Sequence, residues 1–381
     1  MQVSVVGRNG SAHAREGSAL RARARALPRP ASSAPPRSVP RLWPPPLPAD
    51  RPLAHPLPPK QSINQTNKQP NNAANSLSAD AEVAVLVADC SDLVREAARR
   101  HQTSPTATAA FGRALMSAAM LNAFRKDGER LSMTIRGDGP AGHIQVVADD
   151  QGHVKGLVGN PQADVPIRGS DGKLDVPALL GLGSLTVTRI LPWQETPYTG
   201  SIPLVSGEVA ADVASYLAES EQINSAFAAG VMLAPDAPGG VAAAGGFFVQ
   251  PLPFCSEETL ARVERNVSAL GPPSKMLADG LSPAEIAARV LDGLGVAQGF
   301  PVERAPRYGP CTPDALRGRM MTAIASLGEE DARLLLRERG GDVEVRCEMC
   351  AEAYRFSEDE VLSSFADDDE NGKAAPTVST R

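Results

Sequence analysis

Nothing in these 381 residues approaches the roughly 18 to 20 consecutive apolar residues that cross a bilayer, and the start lacks the compact apolar stretch of a secretory signal. A membrane-spanning role is therefore not expected. Aromatic residues are scarce, at 4%, against 34 prolines, so a good part of the chain is not expected to pack. Acids are nearly missing from the first 79 residues, where Glu16 and Asp50 face 11 Lys or Arg, a local balance of +9. Because the whole chain sums to -6, the remainder carries -15. An acidic remainder with no basic stripe lacks the electrostatic footprint of a nucleic-acid binder. Cysteines number five, at irregular spacing, which excludes an extracellular disulfide framework and leaves the thiols reduced at rest. No histidine follows His153.

The front of the chain is basic and rich in Arg, Ala and Ser, with Arg15, Arg21, Arg23 and Arg25. Thirteen prolines between Pro28 and Pro59 follow, then an Asn- and Gln-rich run from Gln61 to Asn75. Neither stretch can bury enough apolar surface to fold. Residues 1–80 are thus expected to be disordered. The acid-poor start fits an organelle transit peptide and linker, with the chloroplast as first destination and the mitochondrion or cytoplasm as alternatives. A disordered basic tail fits the same composition.

From Ala81 the pattern becomes periodic. Ser91 or Asp92 caps a helix through Arg100, and Ser104-Pro105 opens a second to about Phe124 with one broad apolar face. The period then switches to two, predicting strands at Leu131–Ile135, Ile144–Val146 and Val154–Val158 around turns at Gly137–Pro140 and Asp149–Gly152. Further strands are expected at Ser184–Leu191, Ser201–Val205, Val231–Leu233 and Gly246–Leu252, with helical spacing at Val209–Ala218 and in a short run after Glu221. Residues 81–253 therefore read as an α+β body, a hairpin-rich mixed sheet with packed helices rather than repeated βαβ units.

Residues 254–306 carry short helical patterns, Glu257–Leu270 and Pro283–Leu294, split by Gly271-Pro272-Pro273. Isolated helices this short are marginal, so this is a helical linker of low stability. Residues 307–365 form a small C-terminal α+β module with helices near Leu316–Leu327 and Glu329–Arg339, a strand at Val343–Arg346 and a last helix opened by the Ser357/Glu360 capping box. An acidic tail, residues 366–381, is expected to fray.

The sharp chemical feature is Cys347-Glu348-Met349-Cys350, where two sulfurs on a tight turn can hold one metal ion or close as a disulfide. By itself a CxxC is a zinc knuckle, a redox pair or chance. Cys311, 36 positions upstream of Cys347, supplies a third sulfur, so Cys311, Cys347 and Cys350 are the candidate metal ligands. A fourth would have to be Asp314, Glu348, water or a residue of another chain, which weakens a closed tetrahedral zinc site. Cys90 reads as a buried inert thiol at a helix start, and Cys255 as a surface thiol able to pair with Cys311 under oxidation. His101, His143 and His153 are isolated in sequence. The chain has no Ser/His/Asp set, Gly-rich phosphate loop or paired-carboxylate motif, so no catalytic residue is assigned and an enzyme is not expected.

Gly112-Arg113, Gly137-Asp138-Gly139-Pro140, Pro197-Tyr198-Thr199-Gly200, Ser220-Glu221-Gln222, Ala244-Gly245-Gly246 and Gln250-Pro251-Leu252-Pro253 occur in this order. Through them, the chain from about residue 81 to 365 resembles the 33 kDa redox-regulated chaperonin family. The resemblance implies a holdase, a chaperone that binds unfolded or misfolded proteins under oxidative and heat stress, and it leaves room for a homodimer in the activated state. It further implies a small zinc domain with CxC and CxxC whose oxidation releases zinc, unfolds domain and linker and uncovers client-binding surface. Here the CxC position reads Tyr308-Gly309-Pro310-Cys311-Thr312-Pro313-Asp314, so either Pro313 stands for the second cysteine or Gly309 for the first. Both alignments leave one sulfur and a weakened switch. The competing readings are a thiol-disulfide oxidoreductase using Cys347 and Cys350, and a zinc-ribbon nucleic-acid adaptor, against which the acidic balance argues.

Overall fold

The computed structural model describes residues 4–5, 73–123, 128–297, 300–301, 305–309 and 313–370. In chain order, β1 (Ser4–Val5), β2 (Ala73–Leu77) and β3 (Val83–Asp89) lead into α1 (Ser91–His101) and α2 (Pro105–Ala123). A meander follows, β4 (Arg130–Gly137), β5 (His143–Asp149) and β6 (His153–Val158), then α3 (Val176–Leu180), β7 (Gly183–Ile190), β8 (Tyr198–Pro203), α4 (Ala210–Glu219), β9 (Ala226–Leu233) and β10 (Val241–Pro251). Three helices come next, α5 (Glu257–Ala269), α6 (Pro273–Ala278) and α7 (Pro283–Val290), then β11 (Phe300–Pro301) and β12 (Arg307–Tyr308). The C-terminal part is α8 (Pro313–Ala325), α9 (Glu329–Arg339), β13 (Asp342–Arg346), β14 (Ala353–Ser357) and α10 (Glu358–Glu370).

Two larger sheets build the body. One has the order β11-β2-β3-β10-β9 and the other β12-β6-β5-β4-β7-β8; the C-terminal hairpin, with β1, makes a third, β1-β13-β14. Pairing is antiparallel throughout except for β12 on β6. Helix α2 lies between the two larger sheets, packing on β9 and β10 of one and β4, β5 and β6 of the other. It is consequently buried at nearly every position, from Thr106 to Asn122, and not along one face as its sequence suggests. Gly112 permits this closeness, since a Cβ there would sit 2.8 Å from Val94 Cγ1 of α1 and 2.9 Å from Val231 Cγ2 of β9. The turn glycine Gly139 similarly faces backbone, 2.5 Å from the Leu179 carbonyl oxygen.

The five-stranded sheet is apolar on both sides. Leu86, Ala88, Ala244 and Phe248 face the core around α2, while Val83, Val85, Val87, Phe247 and Val249 face outward into a second cluster. Strand β3 is therefore buried along almost its whole length and reads as a continuous apolar run rather than an alternation. Helices α5, α6 and α7 supply the outer cover through Val263, Met276, Ile286, Ala287 and Val290, with Leu291 just past the end of α7. Local chemistry sets their ends. Ser256 accepts from the Thr259 N–H at 3.3 Å, and Ser282 and Glu285 form a reciprocal box in which Glu285 accepts from the Ser282 N–H at 2.8 Å, with Pro283 in the first turn.

Several expectations are corrected. Strands β1 and β2 lie inside the region expected to be disordered, β1 paired with β13 and β2 completing the sheet beside β3. The run after Glu221 leads directly into β9 and is not helical, Gln222 standing in the left-handed region at φ 56°. Helices α3 and α6 and strand β14 had no clear period in so few residues. The acidic stretch from Ala366 to Glu370 continues α10; residues 371–381 lie outside the described residues.

The entry to α4 rests on one buried carboxylate. Asp212 is fully buried, with Oδ1 accepting from the N–H groups of Val205 (2.8 Å), Ser206 (2.8 Å) and Gly207 (3.3 Å) and Oδ2 from that of Val209 (3.0 Å). This cradle holds Val209, a β-branched residue, at φ 63°. Asp212→Ala would strand these donors, and we expect a loss on the order of 3 kcal/mol or more, read as a lower urea midpoint.

Candidate functional site: the cysteine turn, its joint to the body and the covered sheet face

The β13–β14 hairpin presents the cysteine turn. Its ladder runs from Asp342 opposite Ser357 to Arg346 opposite Ala353, leaving 347–352 to reverse the chain. Two backbone bonds tighten it, Cys347 N–H to the Glu352 carbonyl at 2.8 Å and Ala351 N–H to the Cys347 carbonyl at 2.7 Å, with Ala351 at φ 55°. Both sulfurs point inward. Cys347 and Cys350 are buried with Leu316, Met320, Ile324, Leu336, Val345 and Phe356, the core of the C-terminal part.

Both thiols are free of disulfide, and their mutual hydrogen bond, then burial, raises the Cys347 pKa well above the ordinary thiol range. The N–H groups of Met349 and Cys350 work against this by pointing at the Cys347 sulfur. A buried thiol with a raised pKa is a poorer nucleophile than a free one, and Cys347 is such a thiol. The same N–H donors suit a metal-bound thiolate, so the turn fits the two-sulfur half of a tetrahedral site. Cys311 lies outside the described residues. Among the described residues no three His, Cys, Asp or Glu side chains converge as a metal site.

The turn is joined to the body at the end of α1. Tyr308 Oη donates to the Met349 carbonyl at 3.2 Å and lies 2.9 Å from His101 Nε2. Arg346, next to Cys347, donates from Nε to the Ala351 carbonyl at 3.2 Å and from Nη2 to the Arg100 carbonyl at 3.0 Å. Arg100 in turn binds Glu352 and stacks over the Tyr308 ring, 5.2 Å from its centroid. His101 is thus not isolated. Its partner lies 207 residues away, a separation at which no local sequence signal exists. His153 pairs with Asp149 at 3.1 Å within one strand-turn-strand unit.

The remaining cysteines stand apart from this joint. Cys90 precedes α1 and is buried, its pKa driven up by burial and then by Asp89, which agrees with an inert thiol. Cys255 is half-buried beside Glu82, its pKa also raised, first by burial. Two of the short sequence runs noted above, Pro197–Gly200 and Ser220–Gln222, meet in space. Gly200 packs on Tyr216 and Ser220, and Glu221 accepts from the Tyr216 hydroxyl at 3.0 Å and from Arg189 Nε at 2.9 Å. Arg113 reaches Glu208 at 2.6 Å, which also holds Arg168 at 3.0 Å.

The arrangement therefore has three parts: a buried thiol pair, a polar joint from that pair to α1, and an apolar sheet face under three short helices. The family described as Hsp33 protein matches residues 72–357. A 33 kDa chaperonin of Symbiobacterium thermophilum is 43% identical over 288 residues, spanning 75% of this chain and 94% of that one. A 33 kDa chaperonin of Thermus thermophilus is 41% identical over 300 residues, 76% of this chain and 85% of its own. The crystal structure of the 33 kDa chaperonin (heat shock protein 33 homolog) of Thermotoga maritima superposes with a TM-score of 0.69 at 32% identity, covering 78% of this chain and 99% of that one. On this sequence match and this shared architecture, the chain belongs to the Hsp33 family.

Proposed function

We propose that this chaperone is a redox-linked holdase whose client-binding surface is the outward face of the five-stranded sheet, with no catalytic chemistry of its own. The observation that carries the reading is the cover: Val83, Val85, Val87, Phe247 and Val249 form a continuous apolar face closed by helices of 13, 6 and 8 residues. Helices that short depend on packing for their existence. Losing their anchor would expose an apolar strip suited to unfolded proteins, which offer apolar segments of their own.

The anchor in this proposal is the C-terminal module. Cys347 and Cys350 would hold zinc as thiolates, with Cys311 as third sulfur; bound zinc would supply folding energy to the module. Oxidation would pair Cys347 with Cys350 and withdraw those ligands, loosening the module and then the linker. A single cysteine at Cys311 in place of a CxC makes this a weakened switch, with capture partly constitutive and a single reporting disulfide. Activated chains are proposed to associate as homodimers. The basic N-terminal residues, outside the described region, are proposed to direct the chain to the chloroplast; a mature N-terminus beginning between that basic segment and Ala73 in plastid-recovered protein is the expected outcome, and an intact Met1 there would reverse it.

Two further outcomes test the reading. The full chain should suppress aggregation of a thermally unfolding client, followed by light scattering, more strongly after peroxide than in reducing buffer. Val290→Asp places a charge in the outer cluster and leaves the α2 core untouched, so it should capture client several-fold better without peroxide; no suppression in any state would end the proposal. Metal analysis of the reduced chain should find zinc that a moderate chelator removes readily, whereas one tightly retained zinc per chain would refute the weakened site.

A further inference from the structure

The hairpin that carries the cysteine turn has two edges, and β14 takes only one of them, along 342–346 of β13. At the end of that ladder the Cys347 N–H points to the Glu352 carbonyl at 2.8 Å. In an antiparallel pair, hydrogen-bonded and non-hydrogen-bonded positions alternate. Val345 and Val343 therefore bond to β14 as Cys347 does, and the backbone N–H and C=O groups of Asp342, Glu344 and Arg346 point the other way. A row of backbone groups left at a sheet edge in this manner is a template for a further strand.

On that edge lies β1, antiparallel, with Ser4 opposite Arg346 and Val5 opposite Val345. By the same parity Ser4 and Arg346 exchange both backbone bonds, and Val5 and Val345 form the non-bonded pair. The sequence favours a strand at this point. Val3, Val5 and Val6 are three of the four valines in the first 72 residues, so β-branched residues gather here and give way to Arg, Ala and Pro afterwards. Charge favours the same pairing. Residues 342–370 hold eleven acids against Arg346 and Arg355, a balance of -9, opposite in sign and equal in size to the +9 of residues 1–79. Residues 6–72 connect the two partners, and such a tether raises their effective concentration at a closure cost that grows only slowly with length.

We propose that residues 4–5 are an intramolecular closing strand for the cysteine hairpin: β1 covers the outer edge of β13 and fixes the backbone of Arg346, the residue beside Cys347. A two-stranded hairpin is marginal in water, and a third strand stabilises it. Arg346 is also the residue whose side chain reaches the Arg100 carbonyl, so the strand that fixes its backbone supports the joint to α1 as well. Removal of β1 bares the edge and loosens the turn without any change in the thiols. That cleavage of the basic segment performs this removal rests on the targeting reading, and that a loosened turn promotes client capture rests on the holdase reading. The pairing itself rests on neither.

Amide-resolved hydrogen–deuterium exchange on the full reduced chain and on its Ser4→Pro variant tests the closing strand. Proline at position 4 deletes the N–H that faces the Arg346 carbonyl and leaves every residue from Ala73 onward unchanged. The Arg346 amide should be protected in the wild type and lose about tenfold of that protection in the variant, the worth of one or two net hydrogen bonds. Val343 and Val345, which bond to β14, should keep most of theirs. An Arg346 amide that is unprotected in the wild type, or equally protected in the variant, overturns the proposal. Protection that falls on dilution would identify a second copy of the chain as the occupant and overturn it too. Absence of client suppression in both proteins would count against the holdase reading and leave the closing strand standing.

Discussion

A sheet with two apolar faces has to be covered twice, and most of this architecture follows from that requirement. The five-stranded sheet buries one face against α2 and the core it shares with the six-stranded sheet. Its other face remains as apolar as a core and has only short helices to close it. The two covers differ in kind. One is a 19-residue helix locked between sheets, and the other is a string of brief helical segments whose ends are set by capping side chains. Local opening in proteins is drawn from the second kind of element, where buried contacts per residue are few.

Polar groups do the complementary work of fixing geometry. Asp212 gathers the N–H groups ahead of α4, while the pair Arg189 and Glu221 is buried together with the Tyr216 hydroxyl between β7 and the end of α4. Buried ion pairs of this sort add little net stability but make a wrong arrangement costly, because either partner left alone would be an unpaired charge. The joint at His101 differs from these. Arg100, Glu352 and Arg346 are only partly buried, and such contacts are individually weak. Such contacts hold this boundary less firmly than the buried pairs hold theirs.

Much of this was legible in the sequence because the signals were local. Ser104-Pro105, the Gly137–Pro140 turn, the two-residue period of β4 to β6 and the Ser357/Glu360 box all declare themselves within a few residues. The misses share a cause. Strand β3 is buried on both faces and so has no alternation, and β2 is extended only because β3 lies beside it. Helix α2 looks amphipathic but is enclosed, since small residues such as Ala107, Ala110 and Ala118 let a sheet approach on each side. At the site, the adjacency of Cys347 and Cys350 was plain. The contacts that bring Arg100 to the hairpin and His101 to Tyr308 were not, because they join segments about 250 and 200 residues apart.

Strand parity gives the outer face an independence that a bundle of helices could not. On β3, positions 83, 85 and 87 look outward and 86 and 88 look inward, and β10 divides Phe247 and Val249 from Phe248 in the same manner. The side chains at 83, 85, 87, 247 and 249 can therefore change in size while those at 86, 88, 244 and 248 go on holding the interior. The chemistry of the outer face and that of the inner core are thus written on alternate letters of the same short strands.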